Sequence, residues 1–316
     1  MILVFSKYDD PSTNEVCDWL RYFGQEIVRI NNSEDLSLFF NAHLNIQLTN
    51  SYLSFANPNV KSVWFRRPPA PLHYKVGTAK AFVAETNHFF SSEFNAVFDV
   101  FYWIFKDVKW LNDLHTSRPR KFDQLLVAKD VGLAIPNTAI IGCKKELQDF
   151  CIANGKVIMK PIQDPRPISI NHKMFLQYTT EVTQNLLDHL PDTFFPCLFQ
   201  QLIDKNIEIR TFFLNGQCFS MAICSTFDKQ TQIDFRRYND RHPNRCLPYQ
   251  LPLDIENKIS LLMDKMRLNC GSLDLILDNH GTYYYLEVNP VGQFGMVSYP
   301  CNYNIEKEIA EFLIKE

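Results

Sequence analysis

The most constraining stretch lies near the C-terminus, where Ser272-Leu-Asp274-Leu-Ile-Leu-Asp278 is followed by a short turn and then Tyr283-Tyr-Tyr-Leu-Glu287-Val-Asn289-Pro290. Both arms are apolar enough to be strands of a packed sheet, and Asn279-His280-Gly281 supplies the turn chemistry of a hairpin. Acids on such strands need partners, because an unpaired charge is costly to bury. If Asp278 pairs with Tyr283, Asp274 falls opposite Glu287, and Glu287 and Asn289 share a face. Three oxygen donors then converge on one patch. Such a set suits Mg²⁺, which takes one or two carboxylates and leaves room for water and phosphate oxygens. A solvated hairpin edge with scattered acids is the alternative, and the apolar flanks weigh against it.

The rest of the composition narrows the partners. The chain has 316 residues, 46% of them hydrophobic and 21% charged, as in an ordinary soluble protein. With 32 Lys and Arg against 35 Asp and Glu, a formal charge of −3, there is no electrostatic basis for nucleic-acid or membrane binding. No apolar run approaches the roughly 20 residues of a membrane helix. Met1-Ile-Leu-Val-Phe5 reads as a first strand and not as a signal peptide. The nine cysteines are scattered without a Cys-x-x-Cys pair, which reads as reduced thiols and a cytoplasmic location. The eight histidines show no metal spacing.

Periodicity divides the chain into an α/β layer over 1–111 and two further segments, 112–195 and 196–316. The first carries strands at 2–6, 26–30 and 60–65, with helices at 12–23 and 78–106. The second has a helix at 120–131, expected to turn Phe122, Leu125 and Leu126 inward, an extended connection from Pro136, and a helix at 145–154. Strand 156–162 follows, then a polar strand at 172–180. The third has strand 197–203, a hairpin of 208–214 and 217–225 around Asn215-Gly216, helix 254–268, the acidic hairpin, and a helix from about 304.

Several residues could do chemistry. Lys160 ends an apolar strand, where a point charge can grip phosphate, as can an ordinary solvated strand end. Lys121 opens a helix, where a cation opposes the dipole and is better tolerated beside an anion; a plain surface lysine is the alternative. Phe199-Gln200-Gln201-Leu202-Ile203-Asp204 is a strand turning polar, able to read a purine with its backbone and ribose with its terminal carboxylate, or simply a core strand with a polar exit. Glu208 and Arg210 share a strand face, and Arg210 can grip a carboxylate or phosphate bidentately. Arg236 and Arg237 lie in a polar loop.

In this order, Lys121, Lys160-Pro161, Gln200–Asp204, Glu208-Ile-Arg210, Arg236, Asp274 and Glu287-Val-Asn289-Pro290 resemble the ATP-grasp ligases. The resemblance covers about Asn112 to the C-terminus, behind an N-terminal α/β domain of the pre-ATP-grasp kind, for a fold that is α/β and α+β. It implies that Lys121 and Lys160 contact ATP phosphates and that Gln200, Gln201, Leu202, Ile203, Asp204 and Glu208 hold the nucleotide. It implies further that Asp274, Glu287 and Asn289 bind Mg²⁺, and that Arg210 and Arg236 are catalytic. Val63-Trp64-Phe65-Arg66-Arg67-Pro68, Asp234-Phe-Arg236-Arg237-Tyr238 and Asn289-Pro-Val-Gly292-Gln293-Phe294 are similar to the peptide-modifying graspetide ligases of microviridin type, especially the grasp-with-spasm maturases.

That closer resemblance implies a ribosomally made precursor peptide as substrate, a SPASM-domain protein nearby, and a homodimer. Asp or Glu side chains of the peptide would be activated as acyl phosphates and closed into ω-ester or ω-amide rings by Ser, Thr or Lys. Arg66, Arg67 and Arg237 would guide the acidic peptide, although a solvated loop fixed by Pro68-Pro69 explains the first two equally. One departure stands out. The stretch after Lys160 reads Gln163-Asp-Pro-Arg166-Pro-Ile168, without the Gly-rich phosphate loop of many ATP-grasp enzymes. The alternatives are an ATP-grasp ligase joining an amino acid to a small molecule or protein tail, and a non-catalytic nucleotide-binding module.

Overall fold

The computed structural model describes residues 1–31, 37–40, 46–49, 54–56, 59–67, 80–113, 115–116, 119–162, 168–170, 173–175, 179–225 and 243–315. The chain forms two compact units, Met1–Ser117 with Arg267–Cys270 and Gln293–Glu316, and Arg118–Met266 with Gly271–Gly292. Sequence periodicity drew three consecutive segments. It could not show that the C-terminal helix returns to the first unit.

The first unit opens with β1 (Ile2–Phe5), α1 (Pro11–Tyr22) and β2 (Ile27–Ile30). An antiparallel meander follows, β3 (Ser37–Phe40), β4 (Ile46–Thr49) and β5 (Ser54–Ala56). Next come β6 (Ser62–Phe65), the long α2 (Lys80–Ile104) and β7 (Lys109–Leu111). Strands β2, β1, β6 and β7 pair in that order, all parallel. Every residue of β1 is buried. Leu3 and Phe5 pack with Phe101 of α2 and with Phe105 just after it, while Ile2 and Val4 point to the opposite, equally covered face. Asp10 caps α1 by accepting a hydrogen bond from the Thr13 N–H.

The second unit begins with α3 (Lys121–Asp130), β8 (Thr138–Cys143), α4 (Lys144–Asn154) and β9 (Val157–Lys160). Where one polar strand was expected at 172–180, the chain makes a short hairpin of β10 (Ile168–Ile170) and β11 (Lys173–Phe175), then β12 (Thr180–Glu181). After α5 (Gln184–His189) comes β13 (Thr193–Gln201), which lies between β8 and β9 in the antiparallel order β12-β9-β13-β8. The extended connection after Pro136 is thus an edge strand. Ile141, Val157 and Phe199 pack against Leu147 of α4 and Leu187 of α5 on one face of this sheet.

The unit continues with β14 (Lys205–Leu214), β15 (Gln217–Cys224), β16 (Arg245–Tyr249), α6 (Leu253–Lys265), β17 (Cys270–Asp278) and β18 (Tyr283–Asn289). These strands form a second sheet in the order β16-β15-β14-β17-β18, with β18 at its edge. Helix α3 packs on that edge, turning Gln124, Leu125 and Ala128 inward. Leu126, expected inside, is 54% exposed and with Phe122 and Leu133 lines a cleft of about 420 Å³. The chain ends in α7 (Gly295–Cys301) and α8 (Ile305–Ile314). Ile305, Ile309 and Leu313 form the buried face of α8, which packs against α1 and β6 in the first unit.

Candidate active site

The acidic hairpin pairs Ser272 with Asn289, Leu273 with Val288 and Asp274 with Glu287. Its turn end differs from the simple expectation. Leu277, and not Asp278, pairs with Tyr283, because the Asp278 side chain folds into the turn and accepts from the N–H groups of His280 and Thr282. A bulge then skips one residue of β18, so that Leu275 faces Tyr285 while Asp274 still faces Glu287. An unbroken ladder from Leu277–Tyr283 would have set Asp274 against Leu286. The bulge thus brings the acids together and turns Tyr285 to the core, where it is fully buried. That burial, reinforced by Glu287 and Asp274, keeps the Tyr285 phenol protonated by raising its pKa well above the ordinary value.

Cations sit beside both acids. Arg210 Nη1 donates to Asp274 Oδ1, and the two side chains are 11% and 17% exposed. Lys121 Nζ, in the first turn of α3, stands 3.9 Å from Glu287 Oε2. Arg210 Nε is buried without a hydrogen-bond partner among the described residues. Glu208, two residues before Arg210, receives Lys205 Nζ and, at 2.6 Å, the Ser225 hydroxyl. Burial raises the Glu208 pKa, against the lowering effects of Lys205 and Ser225. The Asn289 Oδ1 accepts from Val291 N–H at 3.1 Å, and Gly292 N–H returns to the Asn289 carbonyl at 3.0 Å. Among the described residues no three His, Cys, Asp or Glu side chains cluster as a metal site. The set here has two carboxylates and an amide.

On the other sheet of this unit, Lys160 and Gln200 point to the face opposite α4. Lys160 Nζ donates to Gln200 Oε1 at 2.8 Å, and Gln200 Nε2 donates to Thr138 Oγ1 at 2.9 Å. Thr138 is not among the candidate site residues that the sequence suggests. The Gln201 and Leu202 N–H groups bond to the carbonyls of Asn137 and Lys156, both at 2.8 Å. Reading a purine through those two residues would therefore fall to their carbonyls. Ile203 is buried, and exposed Asp204 accepts from Asn279 Nδ2 at 3.1 Å.

In the first unit, Arg66 and Arg67 share the buried carboxylate of Asp10, at 3.3 and 2.8 Å. Arg66 is 3% exposed, lies over the Phe294 ring and bonds to Gln293 at 3.3 Å. Burial lowers its pKa to about 10, still charged at neutral pH. Arg67 keeps the more accessible guanidinium. Arg236, Arg237 and the 163–167 stretch lie outside the described residues.

A family model described as the RimK-like ATP-grasp domain matches residues 119–313. The chain belongs to the RimK-like ATP-grasp family, and its fold is the ATP-grasp fold behind an N-terminal α/β layer. Among solved structures, it is similar to a Chryseobacterium gregarium RiPP-associated ATP-grasp ligase in complex with ADP and a leader and core peptide. The TM-score is 0.83 at 24% identity, over 99% of this chain and 96% of that one. The macrocyclase MdnC of Microcystis aeruginosa, bound with precursor peptide MdnA, gives a TM-score of 0.82 at 24% identity, over 100% and 99% of the two chains. The ATP-grasp ligase PsnB, complexed with a phosphomimetic minimal precursor, Mg and ADP, gives 0.72 at 17% identity, over 99% and 97%. No curated protein matches the sequence.

Proposed function

We propose that this protein is an ATP-dependent carboxylate ligase acting on a ribosomally made precursor peptide. The observation that carries the reading is the pairing of Asp274 with Glu287 across a bulged hairpin, with Arg210 and Lys121 at their sides. The residues fit the groups such chemistry needs. Asp274, Glu287 and Asn289 are hard oxygen donors of the kind that hold Mg²⁺. Arg210 Nε, without a partner among the described residues, is a buried donor suited to a phosphate or carboxylate oxygen. Bound Mg²⁺ would neutralise phosphate oxygens during transfer.

In this reading Lys121 and Lys160 hold the phosphates of ATP, and Gln200, Gln201, Leu202, Ile203, Asp204 and Glu208 form the nucleotide wall. A side-chain carboxylate of the peptide attacks the γ-phosphorus, giving an acyl phosphate and ADP. A Ser or Thr hydroxyl, or a Lys amine, then displaces phosphate and closes an ω-ester or ω-amide ring. Arg210 and Arg236 stabilise the transferring group, and the protein supplies orientation more than covalent chemistry. Arg67 and Arg237 draw in the acidic core, with Arg66 fixing Asp10 beneath Arg67. Likeness to ligases with precursor peptides bound supports this choice of acceptor over an amino acid or small molecule. The reading extends to a cytoplasmic homodimer working beside a SPASM-domain protein. Among the described residues no helix is long and apolar enough to cross a membrane.

The test combines purified protein, Mg²⁺ and ATP with the acidic, Ser/Thr-rich peptide encoded nearest its gene. ADP release that depends on the peptide, with loss of one water per ring by mass spectrometry and abolition by Glu287→Gln, is the expected result. ADP release without mass loss would move the acceptor elsewhere. Nucleotide binding without turnover would sink the ligase reading.

A further inference from the structure

Gln124 belongs to no part of the machinery described so far, yet it is a buried polar side chain, 3% exposed, one helical turn beyond Lys121. Its Oε1 accepts two hydrogen bonds from β18, from Tyr285 Oη at 2.9 Å and from Val288 N–H at 2.7 Å. Its Nε2 donates to the Pro119 carbonyl at 3.1 Å. The two contacts on β18 flank the bulge and Glu287 itself. Three residues beyond the end of α3 is Leu133, and the carbonyl of its neighbour Ala134 accepts the Tyr285 N–H at 2.8 Å, a second fastening of the same segment.

We propose that Gln124 is a positioning residue that fixes Lys121 against Glu287 by tying α3 to both sides of the β18 bulge. An edge strand offers outward N–H groups, and a buried one needs a partner. A leucine at 124 would fill the volume but leave Val288 N–H and the Tyr285 hydroxyl unpaired. The bulge frees β18 to pivot about Leu286, and the Glu287 carboxylate moves with it. Gln124 removes that freedom with one oxygen. Because its amide also holds Pro119, the chain entering α3 and the strand bearing Glu287 are set by the same group. Lys121 lies between Pro119 and Gln124 and takes its position from both.

The inference rests on the reading of Lys121 as a phosphate-holding residue. The test is binding of MgADP to the full chain by titration calorimetry, with folding checked by circular dichroism. Gln124→Met is expected to weaken binding about tenfold, the upper range for one hydrogen-bonded group. Lys121→Ala weakens it at least as much. Gln124→Met added to Lys121→Ala should weaken it no further, because Gln124 acts through Lys121. A purely structural glutamine would lower stability and leave MgADP affinity unchanged. A folded Gln124→Met protein with unchanged affinity, or losses that multiply in the double variant, overturns the proposal. Should Gln124→Met fail to fold, Tyr285→Phe removes one bond and keeps Val288 N–H satisfied. A loss of about threefold is then expected, and none overturns it. Failure of the unmodified protein to bind MgADP would overturn the functional reading, and the inference with it.

Discussion

Replacing Gly292 by Ala tests how closely the turn after Asn289 is built against the acidic hairpin. A Cβ at 292 would lie 2.5 Å from Ser272 Cβ, 2.7 Å from its Oγ and 3.0 Å from the Asn289 carbonyl oxygen. That is roughly an ångström short of ordinary contact, and Ser272 Cβ is fixed by the backbone of a central strand opposite Asn289. The turn must move, because β17 cannot. Overpacking of this kind costs about 1–3 kcal/mol, measurable by urea denaturation. An ångström of displacement at a binding group can cost on the order of 10²-fold in rate, so the Mg²⁺ dependence of ADP release should shift to higher concentration. Two controls isolate the cause. Gly281→Ala has open space around the new methyl but a φ of +86°, so it carries backbone strain without a clash. It should cost about 1–2 kcal/mol and leave the Mg²⁺ dependence alone. Ser272→Gly combined with Gly292→Ala removes the opposing Cβ and should restore part of the loss. Unchanged stability and Mg²⁺ dependence in Gly292→Ala would refute the reasoning.

Other expectations follow from the same geometry. Arg210→Met strips a mostly buried partner from Asp274, which should cost about 3–5 kcal/mol in chemical denaturation and abolish peptide-dependent ADP release; a fully active, equally stable variant contradicts the pairing. Gln200→Leu leaves Lys160 Nζ and Thr138 Oγ1 without their shared partner, so KM for ATP should rise severalfold, roughly the value of one charge-assisted hydrogen bond, and a steady-state ATP titration reads it. The raised Glu208 pKa means the folded state binds this proton more tightly than the unfolded chain. Its contribution is therefore fully present below the unfolded value of about 4.3 and is lost as pH rises through the folded pKa. The stability of wild type minus that of Glu208→Gln, followed by denaturation from pH 4 upward, should fall; a rise would reverse the sign. Phe199→Ala, at a position of β13 that is 1% exposed and packs against α4, should cost about 3–5 kcal/mol by urea unfolding.

The sequence alone determined the parts of this protein that local chemistry specifies. Apolar runs with turn residues at their ends located β1, β6, the Asn215-Gly216 hairpin and the acidic hairpin. Helical spacing located α1, α3 and α6, each of which buries several side chains along one face. The order of Lys121, Lys160, Arg210, Asp274, Glu287 and Asn289 pointed to the ATP-grasp family, to which the chain belongs. Tertiary structure decided the rest. Asp274 meets Glu287 only because a bulge at Leu286 offsets a turn one residue longer than the pattern implied. Such a bulge leaves no trace in apolar alternation, being fixed by bonds from Gln124 and Ala134, more than 150 residues away in the chain. Gln124 reads as an ordinary polar position on a helix, and Thr138 as part of an extended connection, until their partners arrive from distant strands. The same holds for α8, whose apolar face announces a partner without saying which. Periodicity reports that a side chain is buried; the hydrogen bonds and contacts that choose its neighbour form between segments that no local pattern joins.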